Sequence, residues 1–161
     1  MPSRFLSEND RKTLDTFNHE LVGKLAEGKD GIINQTVVLY KISRYDTETN
    51  LYGEAAKGKI YQPGIQIACT VEATDFDFTT DEFGPDLRQD GIFSFVRQTL
   101  VDLGVVVELG DIFDWNYAHW EVSNINENQL VGGQVDANWA VICAAFLVRK
   151  SNLQIERIRS I

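Results

Sequence analysis

Leu14, Phe17, Leu21 and Leu25 recur at steps of three, four and four, one apolar stripe on an otherwise polar stretch, and predict a helix from about Glu8 to Glu27. Ser7 stands where an N-cap belongs, Asp10 adds negative charge to the first turn, and Gly28 is the expected stop. Two covers suit that stripe, the chain's own domain or a neighbouring subunit. After a Gly-containing linker at Lys29–Asn34 the period changes. Thr36–Tyr45 is β-branched and aromatic, with Val38, Tyr40 and Ile42 on one face. A polar turn at Asp46–Asn50 and a flexible stretch around Lys57 precede the cleanest alternation in the chain. There Ile65, Ile67, Cys69 and Val71 alternate with Gln66, Ala68, Thr70 and Glu72, the signature of a half-buried strand.

Gly91–Val96 predicts a further strand, and Val96, Leu100 and Leu103 a short helix that Gly104 ends. Gly110–Ile125 predicts a hairpin, with strands Ile112–Trp115 and His119–Ile125 around a loop at Asn116–Ala118. Phe113 and Trp115 share one face of the first strand, Trp120 and Val122 one face of the second, and aromatic pairs across strands hold register. Glu127–Asn138 is a loop with a Gly132–Gly133 pair. The last strand, Trp139–Val148, is apolar on both faces: Trp139, Val141, Cys143, Ala145 and Leu147 on one, Ala140, Ile142, Ala144, Phe146 and Val148 on the other. Such a strand is covered on both sides, here by a helix, the far wall of a barrel or another subunit. Trp139, Val141, Ile142, Phe146 and Val148 are accordingly candidates for a subunit interface.

These elements predict a mainly β fold, a small antiparallel β-barrel or sandwich with an N-terminal helix and one short internal helix. Residues 1–34 form the helix and linker, 35–150 the β-barrel domain, and 151–161 a C-terminal tail. At 161 residues, 43% of them hydrophobic and 11% aromatic, the chain has material for one real core. It shows no apolar run of membrane-spanning length and no apolar signal core near Ser7–Lys12, so the expectation is a soluble protein made in a cytoplasm, with no membrane partner. Cys69 and Cys143 fall in apolar strand patterns and read as free, small hydrophobes.

Charge sharpens the picture. The net charge of −9 is unevenly spread: residues 60–148 hold fourteen acids and two bases, Arg88 and Arg97, while the tail carries Arg149, Lys150, Arg157 and Arg159 against Glu156. An acidic body argues against tight binding to nucleic-acid backbones. Its plain reading is solubility. The densest acid lies in Asp75–Asp90, read as a loop with Asp75, Asp77, Asp81, Glu82, Asp86 and Asp90 interleaved with Phe76, Phe78 and Phe83. Three of these acids imitate a calcium loop, but the turn glycine and twelfth-position Glu are missing. Phosphate-loop, nucleophile-elbow and zinc patterns are absent as well. His19 and His119 are the only histidines, and His119 beside Trp120 reads as a packing residue. The sequence therefore points to no catalytic residue, metal or cofactor.

Several phrases occur in one order along the chain: Leu51-Tyr52-Gly53-Glu54, Phe83-Gly84-Pro85-Asp86, Leu109-Gly110-Asp111-Ile112 running into the aromatic hairpin, Trp120-Glu121-Val122-Ser123-Asn124-Ile125, Glu127-Asn128-Gln129-Leu130, and Arg149-Lys150-Ser151. Together, over about Leu51–Ile155, they resemble the neck protein of contractile-tailed bacteriophages, a head–tail connector of the stopper type. The chain departs from that pattern in its compact Asn126–Asn138 loop, so contacts borne on longer loops do not carry over. The resemblance implies a β-barrel subunit of a ring, six copies in that family, in the virion neck. Such a ring is assembled in the host bacterial cytoplasm, with a portal or adaptor ring on its head side and a tail terminator on its tail side. It retains or passes double-stranded DNA without reading its sequence.

Under that reading the Asp75–Asp90 acids line the lumen or touch the next ring. Leu14, Phe17, Leu21 and Leu25, with Arg149, Lys150, Arg157 and Arg159, are partner-docking extensions. Three other readings compete: a tail terminator or tail-completion ring, a monomeric cytosolic ligand-binding β-barrel, and, last, a small hydrolase working through Asp or Glu.

Overall fold

A computed structural model describes residues 7–43, 45, 47, 59–81, 84–127 and 138–148. The chain is mainly β, with eleven strands and two α-helices among the described residues. Helix α1 is Glu8–Val22, and its first turn is capped as expected: the Asp10 backbone N–H donates to Ser7 Oγ at 3.1 Å. It ends earlier than its apolar spacing predicts. Gly23 takes φ +93°, and a Cβ there would lie 2.6 Å from the Gly31 backbone nitrogen. The chain folds back at that point, and the Ile32 and Ile33 N–H groups donate to the Glu20 and Leu21 carbonyls. Helix-terminal carbonyls that would otherwise lack donors are thus satisfied. The expected linker is in fact a clasp of two short strands, β1 (Gly23–Lys24) and β2 (Lys29–Asp30), around a 3₁₀ turn at Leu25–Glu27. Gly28 still acts as a stop, but for that turn.

The barrel is built from β3 (Thr36–Tyr40), β4 (Ile65–Ala68), β5 (Thr70–Ala73), β8 (Asp90–Val96), β9 (Ile112–Trp115), β10 (Ala118–Asn126) and β11 (Ala140–Val148). All neighbours are antiparallel, in the order β4-β3-β9-β10-β11-β8-β5. The two ends of this sheet are one extended segment interrupted at Cys69. Its first half pairs with β3 (Val37 opposite Ile67) and its second half with β8 (Val71 opposite Phe93). The sheet therefore meets itself and closes, which removes the open edges that invite association.

The predicted alternation of Ile65, Ile67, Cys69 and Val71 is the face that points inward, into one core with Val37, Leu39, Phe93, Phe95, Phe113, Trp120, Val122, Val141, Cys143 and Ala145. The interior is filled by side chains. Phe93 and Phe113 stand 4.9 Å apart between ring centroids, Phe95 and Phe113 5.2 Å, and Phe93 and Trp120 5.7 Å in an edge-on arrangement. Such contacts are worth about 0.5–1.5 kcal/mol each beyond area burial. In the hairpin, Trp120 pairs directly with Phe113, and the turn is tighter than expected: Asn116 and Tyr117 alone form it, both at positive φ. That twist suits a two-residue hairpin turn. Helix α2 (Arg97–Leu103) ends at Gly104 in the left-handed region, as its sequence predicts.

One further expectation changes. Asp75–Asp90 is not a loop but a β-ribbon, β6 (Asp77–Asp81) against β7 (Gly84–Arg88), whose strands pair only with each other. The outer face of β11 is only partly covered within the chain: Phe146 remains 36% exposed and Ile92 beside it on β8 41%.

Candidate functional site

Three features stand apart from the barrel interior: the acidic arm, the apolar stripe of α1, and a cleft between the two helices. The arm leaves the barrel after β5 and returns to β8. Its base is clamped by Thr74, whose N–H and hydroxyl both donate to the Asp90 carbonyl, at 2.9 and 2.8 Å, and whose own carbonyl accepts from Gln89 Nε2 at 2.7 Å. Asp75 and Asp77 are exposed there, with Phe76 60% and Phe78 65% exposed between and after them. Asp90 lies at the base, 3.4 Å from Arg88 Nε. Glu82 and Phe83, and the side chains of Asp81 and Asp86, lie outside the described residues, as do Leu51–Glu54, Arg149, Lys150, Arg157, Arg159 and residues 128–137.

The α1 stripe divides. Leu25 packs with Val22, Ala68 and Val96 against the barrel. Leu14, Phe17 and Leu21 face solvent, Phe17 being 59% exposed. The end of the helix is tied down by charge: Lys24 Nζ reaches Glu27 at 2.6 Å and Asp102 of α2 at 3.1 Å, and Lys29 reaches Glu27 at 2.9 Å. Hydrogen bonds from Lys24 and then Lys29 pull the Glu27 carboxyl down to about 2. Those from Gln98 and then Lys24 lower that of Asp102.

Held against each other in this way, α1 and α2 leave a cavity of about 220 Å³ lined by Arg11, Asp15, Arg97, Gln98, Val101, Asn138 and Trp139. Asn138 Oδ1 is buried without a hydrogen-bond partner among the described residues. Trp139, expected on a subunit-facing strand, lines this cleft. Val141 points into the chain's own core, and Ile142, Phe146 and Val148 lie on the outer face of β11.

Sequence reasoning missed one structural residue. Asp111 read as turn chemistry, yet it is fully buried and accepts from the Ile42 N–H at 3.2 Å, the Glu108 N–H at 2.8 Å and Lys41 Nζ at 3.2 Å. Its backbone carbonyl takes the Val122 N–H at 2.9 Å, so one residue ties the end of β3, the loop before β9 and strand β10 together. Nothing periodic marks such a residue; its cue was an acid between Gly110 and a strand.

The two cysteines lie in the core as free thiols, each pushed up to about 12 by burial. Thiols so disposed are poor nucleophiles. His119 is largely buried and lies 3.9 Å from Asp114 across the hairpin. Among the described residues no group of three or more His, Cys, Asp or Glu side chains is arranged to hold a metal ion. No described helix is long and apolar enough to cross a membrane.

No family model matches the chain, and no curated protein matches it. Among solved structures it is similar to a chain in the virion of a native gene transfer agent particle, with a TM-score of 0.42 and 12% sequence identity over 71% of this chain and 94% of that one.

Proposed function

We propose that this chain is a structural subunit of a phage neck, a head–tail connector of the stopper type that assembles as a ring, retains packaged DNA in the head and offers the tail its attachment site. The observation that carries the reading is the uncovered stripe of α1. Leu14, Phe17 and Leu21 form an apolar row at helical spacing that the barrel leaves in water. Rows of this kind are covered when a neighbour docks. The exposed Phe76 and Phe78 on a projecting arm support the same reading, as does the ordered series of neck-like phrases. A lumen or ring surface bearing Asp75, Asp77 and Asp90 repels phosphate and lets DNA slide. By the resemblance the ring has six copies, and its neighbours are a portal or adaptor ring and a tail terminator.

The filled interior weighs against a ligand-binding barrel, because Phe93, Phe113 and Trp120 occupy the space a ligand needs. Native mass spectrometry over a range of concentrations, with and without the candidate head-side ring, tests the proposal. A closed ring of six or twelve subunits is the expected result, and a chain that stays monomeric with that ring present overturns it. Labelled chain found on DNA-filled heads marks a stopper, and on detached tails a terminator.

A further inference from the structure

We propose that the acidic arm of one copy docks in the Arg11–Arg97 cleft of the next, so that the ring is built head to tail through this contact. The inference rests on the ring reading above and names the two surfaces that meet. The arm rejoins the barrel where β8 begins, at Asp90, and the cleft opens where β8 ends, at Arg97 of α2. Strand β8 places the two about 20 Å apart, at roughly 3.3 Å per residue. The arm is clamped at its base by Thr74 and pairs only with itself, so it stands at one end of the barrel and the cleft at the other. The occupant is therefore a second copy. A contact between unlike surfaces at opposite ends repeats from subunit to subunit and closes into a ring or runs on as a filament.

Chemistry matches the two. The arm presents carboxylates at Asp75 and Asp77 beside the exposed rings of Phe76 and Phe78. The cleft presents the Arg11 and Arg97 side chains beside the Trp139 ring, the 60% exposed Val101, and the amides of Gln98 and Asn138. Guanidinium forks take carboxylates in bidentate fashion, and an aromatic wall takes a phenyl ring. Between residues 60 and 148 the chain has two bases. Arg88 faces Asp90 within the arm, whereas Arg97 makes no ion pair among the described residues. A cationic side chain paired with no described acid, in so acidic a body, stands where the arm of a neighbour delivers two. Asp15 is the one carboxylate in the cleft and sets a limit on its positive character.

The test uses two full-length variants, Arg97→Glu and the pair Asp75→Lys with Asp77→Lys. Each alone is expected to weaken self-association by about tenfold or more, the scale of losing a charge-paired contact. An equimolar mixture of the two is expected to associate more tightly than either alone, because the unchanged arm of one meets the unchanged cleft of the other and the two reversed surfaces are again opposite in charge. Sedimentation velocity and native mass spectrometry read both outcomes. Where the wild-type chain alone stays largely monomeric, concentration-dependent NMR shifts at the Trp139 indole N–H, lost in the arm variant, are the expected sign. Variants that assemble as the wild type does, or indole shifts that persist in the arm variant or never arise, overturn the contact and leave a ring built on another surface standing. A chain that assembles on no partner removes the ring reading itself.

Discussion

The barrel interior and the two appendages use the same kinds of residue to opposite ends. Phe93, Phe95 and Phe113 are at most 1% exposed, the first two both packing on the third, while Phe17, Phe76 and Phe78 are more than half exposed. Asp111 is fully buried and receives three donors, while Asp75 and Asp77 stand in water on the arm. In the first region every side chain answers to its own chain. In the second, the side chains stand in water, and the proposed role for them is to meet a neighbour. Stability and assembly are therefore expected to respond to different substitutions.

The largest separation is expected from Asp111→Ala. It strips the acceptor from two backbone N–H groups and one of three partners from Lys41, which keeps the Val106 carbonyl and Glu108, and the orphaned buried donors set a cost of about 3 kcal/mol. Urea denaturation checks it, and a loss below about 1 kcal/mol would mean that the brace contributes little. Phe113→Ala stands with it, at about 3–5 kcal/mol for an emptied aromatic site in the core.

Gly23→Ala is next. A Cβ at φ +93° would meet the Gly31 backbone, and strain of this kind costs about 1–3 kcal/mol. Because the clasp also positions α1, loss of assembly should accompany the drop in melting temperature.

A smaller effect concerns pH. Burial holds the Cys69 and Cys143 thiols protonated up to about 12, whereas an unfolded thiol ionises near 9. The unfolded chain then binds fewer protons than the folded one, so stability is intact below about pH 9 and falls as pH rises towards 12. Tyr61, raised to about 12 by its own burial, acts in the same direction. Replacing both cysteines with alanine should flatten, without abolishing, the slope of stability against pH above 9. An unchanged slope would assign the alkaline loss elsewhere.

The smallest effect on folding is expected from Phe17→Ser and Phe78→Ser, within about 0.5 kcal/mol in the isolated chain, as for other surface changes. Either should nevertheless weaken assembly. If Phe17→Ser lowers monomer stability as Phe113→Ala does, the distinction between the two regions fails.

The sequence disclosed the interior better than the exterior, for a physical reason. Burial on one face of a strand imposes a period of two, which Ile65, Ile67, Cys69 and Val71 display and the barrel uses. The hairpin of Phe113 and Trp120 was equally legible, since its pairs lie close in sequence. The helix overran because Leu25 continues the spacing of Leu21, while the backbone at Gly23 obeys a close approach to Gly31 that no periodicity records. The arm read as a loop because its density of acid suggested a solvated segment, although Asp75-Phe76-Asp77-Phe78 already carries the period of two that a strand imposes. Closure at Cys69 and the cleft of Arg11 with Arg97 depend on residues far apart in the chain, which spacing alone does not bring together.

The seam that joins β3 to β9 sets the timing of the molecule's birth. Tyr40 pairs with Ile112, seventy-two positions later. At a synthesis rate of about 5–20 residues per second, β3 waits roughly 4–14 s on the ribosome for that partner to emerge. Until then β4 covers one of its edges and the other is open. A barrel closed by such distant pairings folds slowly compared with a helical bundle. Its early, half-built form, with a strand edge still open, is the stage most exposed to capture by a neighbouring nascent chain on a crowded polysome.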